Sequence, residues 1–114
     1  MTLSKKIIEI LEDNDINIIC TEKQDKEYYT EMEFYSDAGE DFVFSIWHNR
    51  TKRSFIDAFR EYAIDFDPDE HAEMWVEARH SVAGVPQRIR DLIDDADSID
   101  EFLTKVSDEL SEVA

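Results

Sequence analysis

The stretch DFDPDEHAEMW, at residues 65–75, contains the residue types in this sequence that most resemble a reactive site. It holds five carboxylates, one histidine and one tryptophan. His71 and Glu73 match the first half of the zinc deaminase signature, in which the histidine binds zinc and the glutamate moves protons. That chemistry also needs two thiolates from a downstream P-C-x-x-C motif. Because the chain has one cysteine, Cys20, and it lies upstream, the sequence argues against a zinc deaminase site.

The same stretch resembles a calcium-binding loop, with Asp65, Asp67 and Asp69 at what would be positions one, three and five. A complete loop of this kind has glycine at position six and a bidentate glutamate at position twelve. Those two places hold Glu70 and Val76 in this chain. We therefore predict no dedicated metal site and no cofactor.

The remaining candidates for catalysis are weak. The histidines His48, His71 and His80 fall on different predicted elements, and the chain has no nucleophile elbow and no glycine-rich phosphate loop. We expect His48 to be a surface residue at a strand end, and Cys20 to be a small buried apolar side chain. The sequence thus predicts a protein without catalytic residues, and a small enzyme remains the minor alternative.

The charge balance is the most informative property of the composition. Twenty-nine Asp and Glu residues face twelve Lys and Arg residues, for a net charge of −17. Such a field repels nucleic acid and anionic membranes, and it attracts basic protein surfaces. Residues 57–114 hold seventeen acidic and five basic residues, a net of −12, so this half carries most of the field. Solubility or adaptation to a salt-rich cytoplasm is the alternative explanation of the charge.

Carboxylates in this second half recur at helical spacing. Side chains three or four residues apart on a helix lie about 5–6 Å from one another. The sequence contains three such sets: Glu70, Glu73 and Glu77; Asp91, Asp94 and Asp95; and Asp97, Asp100 and Glu101. Because duplex DNA carries one charge per about 1.7 Å of axis, rigid rows of carboxylates can occupy a basic groove that binds phosphates. Any single row is also typical of a solvated helix face.

Hydrophobic periodicity predicts the elements that position these residues. Residues 2–12 predict a helix, and residues 16–22, 27–35 and 41–49 predict three strands joined by short links, typical of an antiparallel meander. Alternation in EYYTEMEFY directs one set of side chains to the core and leaves an acidic, tyrosine-bearing outer face. The inward set is Tyr28, Thr30, Met32 and Phe34, and the outward set is Tyr29, Glu31, Glu33 and Tyr35.

The pattern becomes helical from residue 51. Ser54 is the expected N-cap of the first of these helices, and Asp67-Pro68 should separate it from a helix over residues 69–80. Another helix should start near Pro86, and Ser98 should open a separate last helix with the capping box S-I-D-E. We therefore predict one α+β domain over residues 1–114. It has an N-terminal helix, a three-stranded antiparallel sheet at about 16–48, and three to four helices packed on one sheet face.

Three segments in order, AGEDFVFSIW, FIDAFREYAIDFDPDEHAEMW and GVPQRIRDLIDDAD, resemble a block in small acidic proteins of bacterial phages and mobile elements. The block covers about residues 38–97. In size, charge and α+β layout the chain is also similar to anti-CRISPR and antirestriction proteins, several of which are DNA mimics. This resemblance implies a nuclease inhibitor located in the cytoplasm of a bacterial host. It is a likeness of type, and the acidic residues named here come from charge spacing alone.

The leading hypothesis is a non-enzymatic inhibitor that binds the basic groove of a DNA-targeting nuclease or nucleoprotein, without binding nucleic acid or membrane directly. The alternative is an acidic interaction or assembly module, with a homodimer as one possible form. The predicted partner-binding residues combine carboxylates with three aromatic anchors: Glu31, Glu33, Asp67, Asp69, Glu70, Glu73, Glu77, Asp91, Asp94, Asp95, Asp97, Asp100, Glu101, Tyr29, Tyr35 and Trp75.

Overall fold

The computed structural model describes residues 3–113, and in that range it contains four helices and one three-stranded sheet. The elements follow the chain as α1 (Lys5–Asp13), β1 (Asn17–Gln24), β2 (Glu27–Tyr35), β3 (Asp41–His48), α2 (Lys52–Asp65), α3 (Pro68–Ala78) and α4 (Ile89–Ser111). This confirms the predicted α+β arrangement, in which helices pack on an antiparallel sheet. None of the described helices has the length and apolar composition needed to cross a membrane.

The sheet is an antiparallel meander in the order β1-β2-β3. The predicted alternation in β2 is confirmed, because its inward-facing side chains, Tyr28 through Phe34 at every second position, are buried. One irregularity interrupts β1 between Ile18 and Cys20. It places Cys20 opposite Glu31, on the outer face, where its side chain is half-buried. The expectation of a buried Cys20 is therefore wrong, because the bulge shifts the alternation by one residue.

The core lies between the inner face of the sheet and the helices. Aromatic side chains dominate the contact: Phe34 packs against Phe102 of α4 with ring centroids 4.5 Å apart, and Phe44 packs against Phe59 of α2 at 5.8 Å. Apolar residues of α1, including the fully buried Ile7, belong to the same core. Burying such a set contributes most of the free energy that orders the helices on the sheet.

Side-chain caps define where α2 and α3 begin. Thr51, and not Ser54, caps α2, because its Oγ1 accepts the backbone N–H of Ser54 at 3.1 Å. The hydroxyl of Ser54 instead accepts the N–H of Asn49. The predicted boundary at Asp67-Pro68 is confirmed: Asp67 accepts the N–H of Asp69 at 3.0 Å, and Pro68 occupies the first helical position.

Helix α4 is continuous from Ile89 to Ser111, so the prediction that Ser98 opens a separate helix is wrong. The Ser98 hydroxyl donates to the carbonyl of Asp95 at 2.7 Å, which satisfies a serine inside a helix without ending it. Buried side chains, including Ala96 and Ile99, keep their helical spacing through this position. The 23 residues of α4 form a rod of about 34 Å.

Candidate functional site

Four parts of the chain meet around a cavity of about 260 Å³, here called the turn cavity. They are the β2–β3 turn (residues 36–40) with the start of β3, α3, the segment at residues 79–88, and the first turns of α4. Aliphatic side chains form much of the wall, among them Val82, Val85, Pro86 and Leu92. The polar lining consists of Glu40, Asp41, His71, Trp75 and Asp95, and none of the described lining residues is Lys or Arg.

His71 is fixed inside this cavity by an acidic partner and by aromatic neighbours. Its Nε2 lies 2.9 Å from Oε2 of Glu40, and the two side chains are 14% and 13% exposed. Because a carboxylate only accepts hydrogen bonds, Nε2 carries the proton in this contact. The ring also packs against Phe42 and Phe66, each with centroids 5.5 Å away. The contact ties α3 to the β2–β3 turn.

Asp95 ties the same turn to α4. Its Oδ2 accepts the hydroxyl proton of Ser36 at 2.8 Å, and its Oδ1 accepts the backbone N–H of Ala38 at 2.8 Å. The turn closes with Gly39, whose φ of +88° lies in the region that favours glycine. Because hydrogen bonds to an ionised carboxylate are stronger than neutral ones, these two bonds hold the turn against α4.

Trp75 lines the turn cavity with an unsatisfied donor. Its indole N–H is buried and has no hydrogen-bond acceptor. The neighbouring segment is held by its own polar groups: Arg79 donates to the carbonyl of Val76 at 2.8 Å, and Gln87 donates to the carbonyl of Arg79. The guanidinium of Arg79 is thus directed to a backbone carbonyl and not to the cavity carboxylates.

Asp41 stands at the cavity with a perturbed acidity. Partial desolvation raises the pKa of Asp41 above its usual value, and the neighbouring carboxylates of Glu33 and Glu40 raise it further. The direction of this pKa shift means that the charged form of Asp41 is disfavoured where it sits.

The polar groups of the turn cavity suit a polar or cationic ligand. They are three carboxylates, one imidazole and one indole among the described lining residues. Within residues 3–113, no group of three or more His, Cys, Asp and Glu is arranged to hold a metal ion. His71 and Glu40 can position a polar ligand, and the remaining carboxylates can attract a cation.

The predicted acidic residues of α3 lie together on its solvent side. Glu70, Glu73 and Glu77 are all exposed, opposite the buried Ala72. We call these three carboxylates the α3 acidic row. Asp69 is also exposed, whereas the carboxylate of Asp67 caps the helix.

The structure rearranges the two predicted sets on α4 into one. Asp91, Asp94, Asp97 and Glu101 are exposed and follow one another at intervals of three, three and four residues, and we call them the α4 acidic row. Asp95 and Asp100 are half-buried and leave that row. Asp37 of the β2–β3 turn, which the sequence did not single out, lies beside this row. It lines a groove of about 430 Å³ with Asp91, Asp94 and Asp95.

The outer face of the sheet holds the other predicted residues. The hydroxyl of Tyr29 donates to Oε2 of Glu31 at 3.0 Å, Asn17 donates to Glu33 at 3.0 Å, and Tyr35 is exposed. Trp47 lies on the same face, 47% exposed, with its ring 5.1 Å from Tyr29. Sequence reasoning missed Trp47, although the inward alternation of β3 already directs it outward.

His48 is buried, contrary to the expectation of a surface residue. Its Nε2 lies 2.7 Å from Oγ1 of Thr30, and its Nδ1 lies 2.8 Å from the carbonyl oxygen of Asn49. A carbonyl only accepts, so Nδ1 donates and, in the neutral ring, Nε2 accepts from Thr30. Burial lowers the pKa of His48, and the bond to Asn49 opposes this only in part. The ring is a core group, placed inward by the same alternation as Ile46.

The surface carboxylates have few internal counter-ions. Within residues 3–113 none of the carboxylates is buried, and six are half-buried: Glu31, Glu33, Glu40, Asp95, Asp100 and Glu109. In that range one carboxylate pairs with a Lys or Arg, Asp57 with Arg53 at 3.9 Å, and Glu40 contacts His71 at 2.9 Å. The net charge of −17 is therefore almost entirely free to act on a partner.

Comparison of the chain with protein-family models, with curated proteins and with solved structures finds no match. Any proposal for the function must then start from the structure, in which two features stand out. One is the exposed carboxylate surface, above all the α4 acidic row, and the other is the turn cavity with its acidic rim.

Proposed function

We propose that this protein is a non-enzymatic inhibitor that binds the basic DNA-binding cleft of a CRISPR or restriction nuclease by DNA mimicry. The observation that carries the proposal is the α4 acidic row, whose four exposed carboxylates make no ion pair among the described residues. The protein is an acidic product of a phage or mobile element and acts in the cytoplasm of the bacterial host. It binds the nuclease itself and not nucleic acid.

The charge density of the α4 acidic row supports mimicry of one DNA strand. From Asp91 to Glu101 the helix advances about 15 Å, at about 1.5 Å per residue. One strand of duplex DNA carries a phosphate per about 3.4 Å of axis, so the same length holds about four charges. The row presents four carboxylates over that distance. A cleft lined by Arg and Lys for phosphates therefore meets a similar number of charges.

The rigidity of α4 also supports this function. Buried side chains on its opposite side, including Ile99, Leu103 and Val106, fix the helix in the core. Little conformational entropy is then lost when the carboxylates are engaged, which favours affinity. Opposite charge should also steer the two proteins together, so association should be fast and should slow as salt is added.

An acidic interaction or assembly module without an inhibitor role is the second candidate. The outer sheet face favours it, because Tyr35, Val43 and Trp47 are 72%, 49% and 47% exposed. Exposed aromatic and branched side chains of this kind are typical anchors in protein interfaces. A homodimer is one form of this candidate, and the native mass in solution tests it.

The test begins with the protein immobilised and a host lysate applied at low salt. A nuclease retained and then eluted by salt is purified, and its affinity for the protein is measured against competing duplex DNA. We expect mutually exclusive binding. Partner binding unaffected by saturating duplex would contradict mimicry, and a retained set without any nuclease or nucleoprotein would favour the assembly module.

A matched pair of triple variants separates the row from the total charge. Asp94→Lys, Asp97→Lys and Glu101→Lys reverse three of the four charges of the α4 acidic row. Glu70→Lys, Glu73→Lys and Glu77→Lys reverse the three charges of the α3 acidic row, so both variants change the net charge by the same amount. We expect the α4 reversal to weaken binding about 100-fold, at about 1 kcal/mol per contact, and the α3 reversal to do much less. Equal losses would assign binding to net charge and not to the row.

A further inference from the structure

The turn cavity combines apolar walls with an acidic rim. Val82, Val85 and Leu92 line its walls, and the carboxylates of Glu40, Asp41 and Asp95 line it as well. Such a lining suits a ligand with an apolar stem and a cationic end. Its volume of about 260 Å³ is below the range of about 300–1,000 Å³ for pockets that hold drug-sized ligands. The cavity is therefore matched to one long side chain or to a small molecule of that size.

The internal contacts of the three carboxylates leave a deficit of positive charge. Glu40 bonds to His71, and Asp95 bonds to the neutral groups of Ser36 and Ala38. Asp41 has no ion pair with a basic residue in the described part of the chain. Arg79, the nearest guanidinium along α3, donates to the carbonyl of Val76. Within residues 3–113, the carboxylates of the acidic rim thus have no Lys or Arg partner.

Trp75 adds a further property. An indole ring attracts a cation that lies within about 6 Å of its centroid, and this attraction is strongest for tryptophan among the aromatic residues. Because Trp75 lines the turn cavity, a cation held there lies beside this residue.

We infer that the turn cavity is a binding site for one arginine side chain, presented by a protein partner. This inference rests on the proposed function for the nature of that partner, whose basic cleft supplies the arginine. Arginine fits better than lysine because its guanidinium is planar, stacks on aromatic rings and bonds to a carboxylate through two parallel N–H groups. Arginine buried at an interface is also a frequent binding hot spot.

The position of the cavity makes it a second contact beside the α4 acidic row. Asp95 lines both the turn cavity and the groove that Asp91 and Asp94 line, so the two sites adjoin. A cleft that lies along the α4 acidic row can therefore place an arginine in the cavity. The row then provides steering and general affinity, and the cavity selects a partner with an arginine at one defined place.

The direct test uses the free protein and N-acetyl-arginine methylamide, followed by ¹H–¹⁵N NMR spectra. We expect saturable binding with a dissociation constant of about 1–10 mM, as suits a single anchoring side chain. The indole N–H resonance of Trp75 should move, and that of Trp47 on the outer sheet face should not. The citrulline analogue, which has the same shape and no charge, should shift the spectrum at least about fivefold less at equal concentration.

Two variants and one further probe sharpen the assignment. Asp41→Asn should weaken binding at least about threefold, whereas Asp37→Asn, an equally exposed carboxylate of the same turn region outside the cavity, should change it less than twofold. Butylguanidinium, which has the arginine side chain without the backbone groups, should bind with a similar dissociation constant and also move the indole N–H resonance of Trp75. Absence of butylguanidinium binding would overturn the assignment of the cavity to the side chain.

Other results would overturn the site itself. Equal shifts with the arginine and citrulline analogues would show an uncharged site, and shifts spread over the whole acidic surface would show general ion attraction. Because no nuclease is present in these experiments, their outcome is separate from that of the proposed function. If the protein binds arginine but has no partner that competes with DNA, the arginine site is supported and the proposed inhibitor function is contradicted. If it has such a partner but does not bind arginine, the arginine site alone is contradicted.

Discussion

Asp94 and Asp95 are adjacent on α4, yet the surroundings of the two carboxylates are opposite. Asp95 accepts bonds from Ser36 and Ala38 and holds the β2–β3 turn against the helix. The carboxylate of Asp94 is exposed and makes no hydrogen bond or ion pair within residues 3–113. The same contrast separates the hydrogen-bonded carboxylates of Glu40 and Asp95 from the α4 acidic row. The first two hold the β2–β3 turn in place, and the carboxylates of the row raise self-repulsion and are available to a partner.

The largest expected effect is a difference between these two neighbours. Asp95→Ala removes two hydrogen bonds to a half-buried carboxylate and should lower the free energy of unfolding by about 2 kcal/mol. Asp94→Ala removes no bond, reduces repulsion and improves helix propensity, so it should change stability by less than about 0.5 kcal/mol. Urea unfolding measures both. Equal losses would show that the two hydrogen bonds of Asp95 do not stabilise the fold.

The next prediction uses pH to separate a core group from the carboxylates. His48 is buried and its pKa is lowered, so the folded state resists its protonation while the unfolded chain protonates near pH 6.5. Stability from this group is therefore present above about pH 6.5 and is lost as pH falls below it, by at most about 1.4 kcal/mol per pH unit. Asp41, whose pKa is raised, acts in the opposite direction, since its protonation favours the folded state.

Urea unfolding between pH 7.5 and 5.5 tests the role of His48, with His48→Gln as the comparison. The variant should lose some stability at pH 7.5, because Thr30 and Asn49 lose their imidazole partner. It should also show a flatter dependence on pH than the natural chain. An unchanged slope would assign the titration to another group.

These contrasts show how far sequence reasoning reaches. Alternation in β2, the Asp67-Pro68 joint and the amphipathic helices come from contacts between near neighbours in the chain, so the sequence predicts them. The prediction for Ser98 was wrong for a local reason. A serine that caps the start of a helix and a serine that bonds to the preceding turn inside a helix can have the same neighbours in the sequence. His48 was misassigned because a strand end was assumed to be exposed.

The site was less accessible to sequence reasoning, for a physical reason. Glu40 and His71 are 31 residues apart, and Ser36 and Asp95 are 59 apart, so only the folded chain brings these pairs together. Helical spacing grouped Asp91, Asp94 and Asp95 correctly as neighbours. It could not show that Asp95 faces the turn, since that depends on how α4 packs on the sheet.

A smaller effect is expected from neutralising the α4 acidic row. Asp94→Asn, Asp97→Asn and Glu101→Gln together should raise the free energy of unfolding by about 0.5–1 kcal/mol at low ionic strength, because like charges three or four residues apart repel. The gain should largely disappear near 0.5 M salt, where screening is strong. Thr104→Ala on the same helix changes no charge and should show no such salt dependence. A gain that persists at high salt would indicate a change in helix propensity and not in repulsion.

The smallest expected effect concerns Trp75, whose buried indole N–H has no hydrogen-bond acceptor. Trp75→Phe removes a buried N–H without an acceptor, whose desolvation costs about 1–3 kcal/mol, and it also loses part of the apolar contact with His71. These changes oppose each other, so the free energy of unfolding should stay within about 0.5 kcal/mol of its original value. Urea unfolding checks this. A loss above about 1.5 kcal/mol would show that the packing of the larger ring outweighs the cost of its unpaired donor.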